Sequence, residues 1–498
     1  MLEEIIEYFQ NNAHLLEKGV SSAERVDTHI SIVLLTPRLV YKFKKPVDFG
    51  FIKQTQREQR LSHCQKEVYL NRRLAEGVYL GTKAIVKTGN SFSLVEEVEP
   101  SAIDYCVVMK RLPDSANLLS LLETSQVNRA MVDTLASLLA GFHLQGSGDI
   151  NMSALHQTEN FQDDNIDYLK DVLAPEELET LKSSFQSSIS QIKTRRKKCE
   201  IVDGHGDLRL DHIYFIENSF QIIDCIEFND QLRAVDPLED IAFITNGFRM
   251  AGYPEWARAF SLSYFSYYLG GSRSLLSTYE IYRACVRAKI DQIQLKGEVS
   301  KEKKQYLQQR FNKYISMSIE SAEEKMQAPS VQGCVYVVLG LPATGKSTIA
   351  RGVAFEQEAI VINSDRVRKK LQKVTSKTDL SAPAFEGDYA PSKTSEVYSK
   401  ILAYARHFRR QGFSVVLDAT YSSRKRRDLV RKKFKKVEFI LCTASEDEIR
   451  KRLKQRETEG QSISDMKSFS TWLKVKEKFE PPDEREMESG NWRVVNGT

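Results

Sequence analysis

The segment GLPATGKS, residues 340–347, constrains the fold of this chain more than any other stretch. It follows the apolar run CVYVVL directly and leads into a sequence with helical periodicity. The pattern GxxxxGK[ST] between a strand and a helix is a phosphate-binding loop, in which backbone N–H groups surround phosphates at the positive end of a helix. The sequence therefore predicts an α/β domain with a phosphate site at the edge of its sheet.

Each residue of this loop has an expected part in nucleotide binding. Gly340 and Gly345 let the backbone wrap the phosphates, and Lys346 reaches the outer phosphates. The Ser347 hydroxyl is a candidate ligand for Mg²⁺. The full set of predicted nucleotide-binding residues here is Gly340, Leu341, Pro342, Ala343, Thr344, Gly345, Lys346, Ser347 and Thr348.

Further apolar segments, AIVIN, SVVLD and VEFILCT, alternate with helical patterns, as expected for a parallel sheet covered by helices on both faces. Asp365 and Arg368, in INSDRVRKKL, are predicted at the carboxyl edge of that sheet. A carboxylate there can accept the proton of an attacking hydroxyl, and an arginine one turn later can hold the charge of the acceptor. Asp365 could instead cap the helix. Asp418 ends the strand SVVLD, where a carboxylate orients water or Mg²⁺.

The basic helix EIRKRLKQRE carries Arg452 and Arg456, which are predicted either to stabilise a transferring phosphoryl group or to lie on a solvated face. Residues 333–498 resemble small P-loop kinases such as gluconate kinase, polynucleotide 5′-kinase and zeta toxins. GLPATGKST, SDRVRKKL and VVLDAT are particularly similar to the polynucleotide kinase branch. The resemblance implies ATP-dependent transfer to a hydroxyl, with Asp365 as general base and Arg368 as an acceptor-binding residue.

A second motif, HGDLRLDH, lies far upstream at residues 205–212. Through it, residues 20–325 resemble the aminoglycoside phosphotransferase group, which has a protein-kinase-like fold. The resemblance implies that Asp207 is the base or orienting group for an acceptor hydroxyl and that Asp224 in IIDCIEF binds metal on a hairpin. Lys42 in LVYKFKKP corresponds to the phosphate-binding lysine, and Glu67 in the following helix is its expected partner.

This half departs from the group in two ways. Residues 20–49 contain no glycine, so there is no Gly-rich phosphate loop. His212 stands where an asparagine would bind a second metal, and neutral imidazole is a poor ligand for Mg²⁺. The site could work with one metal, bind nucleotide without turnover or act as a regulatory pseudokinase, and His212 could simply brace the loop. Asp236 and Asp240 in DPLEDIAF are predicted to cap a helix and to brace the catalytic loop.

Four segments follow from these motifs. The sequence predicts an N-terminal helix at 1–19, an α+β two-lobe kinase-like domain at 20–325, a polar linker at 326–332 and an α/β P-loop kinase domain at 333–498. This order is similar to that of bacterial proteins described as aminoglycoside phosphotransferase-like and fused to an ATP-binding domain. We expect ATP and Mg²⁺ as cofactors.

The amino-acid composition indicates the kind of environment in which the protein works. A net charge of +5 with 41% apolar residues is ordinary for a soluble protein. The seven cysteines are scattered, and no signal peptide or membrane-spanning run is evident, so a cytoplasmic location is predicted. The basic runs RKRR (424–427) and RKKFKK (431–436) suggest nucleic-acid contacts or a solvated helix face. The oligomeric state is not predicted.

Three functions remain open at this point. The chain could be a two-headed kinase whose acceptor is a hydroxyl of a small molecule or of a nucleic-acid 5′ end. It could be a P-loop switch regulated by a ligand-sensing, catalytically weak kinase-like half. It could also be a nucleic-acid end-repair enzyme whose C-terminal half is a 5′-hydroxyl kinase.

Overall fold

The computed structural model describes most of the chain in two compact units. The first unit comprises Met1–Asn128, Gly146–Asp171 and Lys193–Tyr253, and the second comprises Arg129–Gln145, Val172–Ile192 and Pro254–Thr498. The described ranges are 1–50, 52–96, 99–146, 165–198, 200–297, 299–326, 333–372, 386–459, 468–488 and 490–497.

This division does not follow the boundary proposed at 326–332. Helical residues 254–326, assigned from sequence to the kinase-like half, belong to the same compact unit as the P-loop domain. Within the proposed linker, Met326 is the last residue of a helix, and 327–332 lie outside the described residues.

A six-stranded antiparallel sheet with the order β1-β2-β3-β6-β4-β5 begins the first unit. Its strands are β1 (Glu24–Asp27), β2 (Ser31–Leu35), β3 (Leu39–Lys44), β4 (Tyr79–Thr88), β5 (Ser91–Val95) and β6 (Ala102–Lys110). Helix α1 (Leu2–Asn11) packs its apolar side against a core that includes Phe43, and α2 (Arg57–Asn71) packs against another core that includes Val107. The predicted helix at 1–19 is therefore shorter than expected and part of this lobe.

The predicted helical region follows. Its helices are α3 (Leu118–Glu123), α4 (Arg129–Gln145), α5 (Pro175–Gln186) and α6 (Ile189–Lys197). Four short strands come next, β7 (Val202–Asp203), β8 (Ile213–Ile216), β9 (Ser219–Ile222) and β10 (Ala234–Val235), with α7 (Asp230–Arg233) before β10. Glu217 and Asn218 both have positive φ, of 50° and 61°, as a tight turn between β8 and β9 requires. β8 and β9 therefore form an antiparallel hairpin.

Four long helices connect this hairpin region to the P-loop domain. They are α8 (Pro237–Ala251), α9 (Pro254–Tyr268), α10 (Arg273–Leu295) and α11 (Lys301–Met326). Asp236 caps α8 by accepting a hydrogen bond from the backbone N–H of Leu238 at 2.9 Å, as the sequence predicted. No helix among the described residues is long and apolar enough to cross a membrane.

A five-stranded parallel sheet with the order β12-β13-β11-β14-β15 forms the P-loop domain. Its strands are β11 (Val335–Leu339), β12 (Ala359–Asn363), β13 (Ser414–Asp418), β14 (Val437–Thr443) and β15 (Asn491–Asn496). Its helices are α12 (Lys346–Glu356), α13 (Ser364–Leu371), α14 (Pro391–Arg410), α15 (Arg424–Lys433), α16 (Glu446–Glu459), α17 (Phe469–Glu477) and α18 (Glu484–Glu488). The predicted fold class, an α+β part followed by a parallel α/β domain, is confirmed.

Candidate phosphate sites

The P-loop joins β11 to α12 through backbone conformations that favour glycine. Gly340 has a φ of +138°, and a Cβ on it would lie 2.3 Å from the carbonyl oxygen of Cys442. Gly345, at a φ of +86°, is the residue that precedes α12. Ala343 also has a positive φ, of 65°. The loop therefore curls tightly against β14, as a phosphate-wrapping backbone must.

Lys346 turns into this loop, where its ammonium group donates to the carbonyl oxygen of Leu341 at 2.6 Å. Burial lowers the pKa of the Lys346 amine, and the carboxylates of Asp418 and Asp365 oppose that shift. Both predicted functional carboxylates therefore lie close enough to Lys346 to favour the charged form of its amine. A charged amine in this place is ready to bind an anion that enters the loop.

Ser347 and Asp418 form an oxygen pair beside the loop. The Ser347 hydroxyl donates to Asp418 Oδ2 at 2.8 Å, and the side-chain amide of Asn363 donates to the same oxygen at 2.7 Å. Asp418 is almost completely buried at the end of β13. A hydroxyl and a carboxylate held together are the donors that Mg²⁺ accepts, with phosphate oxygens and water completing the shell. These residues fit the predicted metal.

Asn363 caps α13, and this assigns a role that the sequence left open. Its side-chain oxygen accepts from the backbone N–H groups of Asp365 and Arg366, both at 3.0 Å. The residue that caps α13 is therefore Asn363 and not Asp365. One turn later, the buried guanidinium of Arg368 lies 4.1 Å from the ring centroid of Tyr389.

The two arginines predicted on α16 differ in their surroundings. Arg452 donates to the carbonyl oxygens of Ala343 at 3.1 Å and of Gly497 at 2.6 Å, and to Glu448 at 2.9 Å. It therefore braces the P-loop from outside.

Arg456 is the second predicted arginine of α16, and its charge acts on Asp365 and Lys346. Burial lowers the pKa of its guanidinium, and the Asp365 carboxylate opposes that shift. Its buried Nη1 has no hydrogen-bond partner within the described part of the chain. Contact of Arg452 or Arg456 with a transferring phosphoryl group stays a prediction.

Helix α13 is anchored on another side by α9, a contact that the sequence did not predict. The guanidinium carbon of Arg366 lies 3.8 Å from the ring centroid of Tyr267. Lys370 Nζ donates to the carbonyl oxygen of Tyr268 at 2.5 Å. The backbone N–H of Val361 in β12 donates to Ser266 Oγ at 2.8 Å. The C-terminal end of α9 thus supports both an edge strand and the helix that carries Asp365.

The basic runs on α15 are divided between the interior and the surface. Arg427 is completely buried and forms two hydrogen bonds with Glu486, at 2.8 and 2.7 Å. Arg431 also donates to Glu486, at 2.8 Å. An open pocket of about 450 Å³ on this helix has a mixed lining of Arg424, Lys425, Asp428, Leu429, Lys432 and Glu480. Part of the predicted phosphate-binding run is therefore structural, and only its exposed members can contact a polyanion.

In the first unit, Lys42 lies between two carboxylates. Its ammonium nitrogen is 2.9 Å from Glu67 Oε1 and 2.6 Å from Asp224 Oδ1. Burial raises the pKa of Glu67, but Lys42 and Lys44 outweigh it and hold that pKa below its ordinary value. The structure therefore brings together three of the residues that the sequence predicted for this site.

Lys44 and Glu227 extend this cluster, and neither was among the site residues predicted from the sequence. Lys44 is fully buried and pairs with Glu67 and Glu227. Because side chains alternate between the two faces of a strand, Lys44 lies on the same face of β3 as Lys42, and this spacing was the sequence feature that could have identified it. Glu227 follows Asp224 by three positions, too close for a separate motif to be recognised.

The loop at 205–212 is held by α8 through Asp240. Its carboxylate accepts from the backbone N–H groups of His205 at 2.7 Å and Gly206 at 2.9 Å. Gly206 has a φ of +84°, and a Cβ there would lie 2.8 Å from the carbonyl oxygen of Leu232. This is the bracing predicted for Asp240, and it fixes the backbone that presents Asp207.

His212 lies between the two predicted functional carboxylates of this half. Its Nδ1 is 3.0 Å from the carbonyl oxygen of Asp207, and its Nε2 is 3.6 Å from Asp224 Oδ2. Asp224 has a φ of +66°, a strained conformation for a residue with a side chain, and its N–H donates to the Tyr79 hydroxyl at 3.1 Å. Desolvation raises the pKa of Asp224, but Lys42 outweighs it, so that pKa lies well below its ordinary range.

The chain is similar to several known proteins. Residues 335–482 match a family model described as an AAA domain, AAA_33. The GDP complex of wild-type aminoglycoside 2′-phosphotransferase-IIIa is 16% identical and covers 65% of this chain and 98% of its own, with a TM-score of 0.41. Choline kinase from Cryptosporidium parvum Iowa II is 13% identical and covers 66% of this chain and 98% of its own, with a TM-score of 0.38.

The mycobacterial relatives match across both halves. The uncharacterized protein Rv2004c of Mycobacterium tuberculosis (strain ATCC 25618 / H37Rv) is 30% identical over 422 residues, which are 82% of this chain and 80% of that protein. The uncharacterized protein Mb2027c of Mycobacterium bovis matches to the same extent. The chain therefore belongs to the family of these mycobacterial proteins.

Proposed function

We propose that this protein is an ATP-dependent phosphotransferase with two nucleotide sites, whose C-terminal half transfers the γ-phosphate to a hydroxyl. The observation that carries the proposal is the geometry of the P-loop, where Lys346 donates to the carbonyl oxygen of Leu341 and Ser347 donates to Asp418. The charges of Asp365 and Arg456 act on the Lys346 amine in this loop. Lys346 and Arg456 hold the transferring phosphoryl group, and Asp365 takes the proton of the acceptor hydroxyl. Mg²⁺, when bound through Ser347 and Asp418, supplies charge neutralisation at the outer phosphates.

The acceptor of this half is a hydroxyl compound that also offers a group for Arg368. A buried guanidinium beside the Tyr389 ring suits an acceptor with an anionic substituent. Both a phosphorylated small molecule and a nucleic-acid 5′ end meet this requirement. The exposed side chains of Lys425 and Lys432 favour the second candidate, 5′-hydroxyl end repair, because they provide phosphate contacts outside the buried part of α15.

For the first half we propose a kinase-like phosphotransferase site. Lys42 and Glu67 would position the nucleotide phosphates, Asp224 would hold metal, and Asp207 would orient the acceptor hydroxyl. The close approach of Lys42 to Asp224 supports this role. The alternative is a catalytically weak ligand sensor that regulates the P-loop half, and the replacement of asparagine by His212 favours it.

Transfer of labelled γ-phosphate from ATP to a panel of acceptors tests the proposal. The panel contains 5′-hydroxyl oligonucleotides, nucleosides, sugars, choline and aminoglycosides. Lys346→Ala should abolish transfer to the acceptor of the C-terminal half, whereas the exposed Lys425→Ala serves as the matched control and should leave transfer to a small molecule unchanged. Asp207→Ala reports on the first half in the same way. Undiminished transfer to every acceptor by Lys346→Ala would refute the role of the P-loop.

A further inference from the structure

His212 presents one ring nitrogen to a backbone carbonyl and the other to a carboxylate. Nδ1 lies 3.0 Å from the carbonyl oxygen of Asp207. A carbonyl oxygen can only accept a hydrogen bond, so Nδ1 carries the proton and donates. The neutral ring therefore keeps its lone pair on Nε2, which faces Asp224 Oδ2 across 3.6 Å.

This orientation is the one that metal-binding histidines adopt. Such a histidine donates its second ring N–H to a carbonyl or carboxylate, and that bond fixes the tautomer and aims the lone pair at the metal. The side chain of His212 is 11% exposed, so packing also limits the rotation of its ring. The opposite oxygen of Asp224, Oδ1, is held by Lys42 at 2.6 Å, which directs Oδ2 toward the imidazole.

The spacing of the two donors is close to what one metal ion needs. With metal–ligand bonds of about 2.1 Å, two ligands lie about 3.0 Å apart at a right angle and about 3.4 Å apart at a tetrahedral angle. The observed 3.6 Å between His212 Nε2 and Asp224 Oδ2 requires only a small closure. The protein supplies two donors here, and no group of three or more histidine, cysteine, aspartate or glutamate side chains suited to a metal occurs among the described residues. Nucleotide phosphate oxygens and water would therefore have to complete the coordination shell of the metal.

We propose that His212 Nε2 and Asp224 Oδ2 bind a first-row transition dication, such as Mn²⁺, in preference to Mg²⁺ when nucleotide enters the first half. Imidazole suits the transition metals, whereas Mg²⁺ prefers oxygen donors. The P-loop half differs, because its candidate ligands Ser347 and Asp418 offer only oxygen. The two halves would therefore use different metals. This inference rests on the proposed nucleotide-binding role of the first half.

Pulsed electron paramagnetic resonance of Mn²⁺ tests the inference directly. The sample is the full chain carrying Lys346→Ala, which weakens the P-loop nucleotide site, with Mn²⁺ and a non-hydrolysable ATP analogue. A histidine bound to Mn²⁺ produces a ¹⁴N coupling, which should change to the ¹⁵N pattern after labelling with ¹⁵N-histidine. The coupling should vanish in His212→Asn and persist in the matched control His14→Asn, whose ring is exposed.

Calorimetric titration of the same proteins gives a second readout. The preference of the nucleotide complex for Mn²⁺ over Mg²⁺ should fall about tenfold or more in His212→Asn. If the Lys346→Ala protein that retains His212 binds nucleotide and Mn²⁺ but shows no ¹⁴N coupling, the metal inference is overturned and His212 only braces the loop. No nucleotide binding with either metal would instead overturn the proposed role of the first half, and the metal inference with it.

Discussion

Replacing Arg427 tests whether the basic run at 424–427 is partly structural. The Arg427→Met change removes two hydrogen bonds to Glu486 and two to the carbonyl oxygens of Tyr421 and Glu480, at 3.1 and 2.9 Å. Breaking a buried ion pair costs about 3–5 kcal/mol. Because Arg431 still donates to Glu486, we expect the lower end, about 3 kcal/mol. For a domain of about 150–250 residues this lowers the melting temperature by about 6–12 °C.

Scanning calorimetry of the full chain measures this shift. Lys425→Met is the matched control, since Lys425 is an exposed member of the same run, and it should melt like the wild type. The double variant Arg427→Met/Glu486→Met should lose less than the sum of its single changes, because neither charge is then left buried alone. Equal melting temperatures of Arg427→Met and Lys425→Met would refute the assignment of Arg427 to the interior.

Three further outcomes follow from the sites. Burial lowers the pKa of His205 to about 4, so between about pH 6.5 and 4 the unfolded chain binds one more proton than the folded chain, and stability falls as the pH drops through that window. In His205→Gln, the urea concentration at the unfolding midpoint should decrease less over this pH range than in the wild type. An equal decrease in both proteins would contradict this prediction. Asp418→Asn should weaken Mg²⁺-dependent nucleotide binding about tenfold or more in calorimetric titrations, because Ser347 loses its carboxylate partner, whereas nucleotide binding without metal should change little. Tyr267→Ala should remove about 1–2 kcal/mol of stacking on Arg366, so the backbone amides of α13 should exchange hydrogen about 5–30 times faster. The control is Tyr306→Ala, because Tyr306 is exposed. Equal α13 exchange rates in the two variants would show that Tyr267 does not stabilise this helix.

The sequence was informative where a motif ties residue type to position in the chain. The P-loop pattern predicted the strand, the turn and the helix, because only glycine suits the close approach of Gly340 to Cys442. The brace at Asp240 was also predicted, because the run DPLEDIAF follows the motif HGDLRLDH in the order expected for a loop held by the next helix.

The sequence was less informative where a partner lies far along the chain. Arg427 and Lys425 look alike in the run RKRR, yet one is buried because Glu486, 59 positions later, meets it. Likewise, no local pattern in α9 shows that Ser266 satisfies a backbone N–H of β12 across 95 positions. These contacts depend on tertiary packing, which hydrophobic periodicity does not encode.

The central claim is that phosphoryl transfer in the C-terminal half depends on Asp365. The most direct measurement is single-turnover transfer of labelled γ-phosphate from ATP to the acceptor found in the panel, compared between Asp365→Asn and the exposed control Asp447→Asn. We predict that Asp365→Asn lowers the rate about 10²–10⁴-fold, the range of general-base catalysis, while the affinity for ATP is retained. The claim is contradicted if Asp365→Asn transfers phosphate at the rate of the control. It is also contradicted if transfer is lost in Asp207→Asn but not in Asp365→Asn.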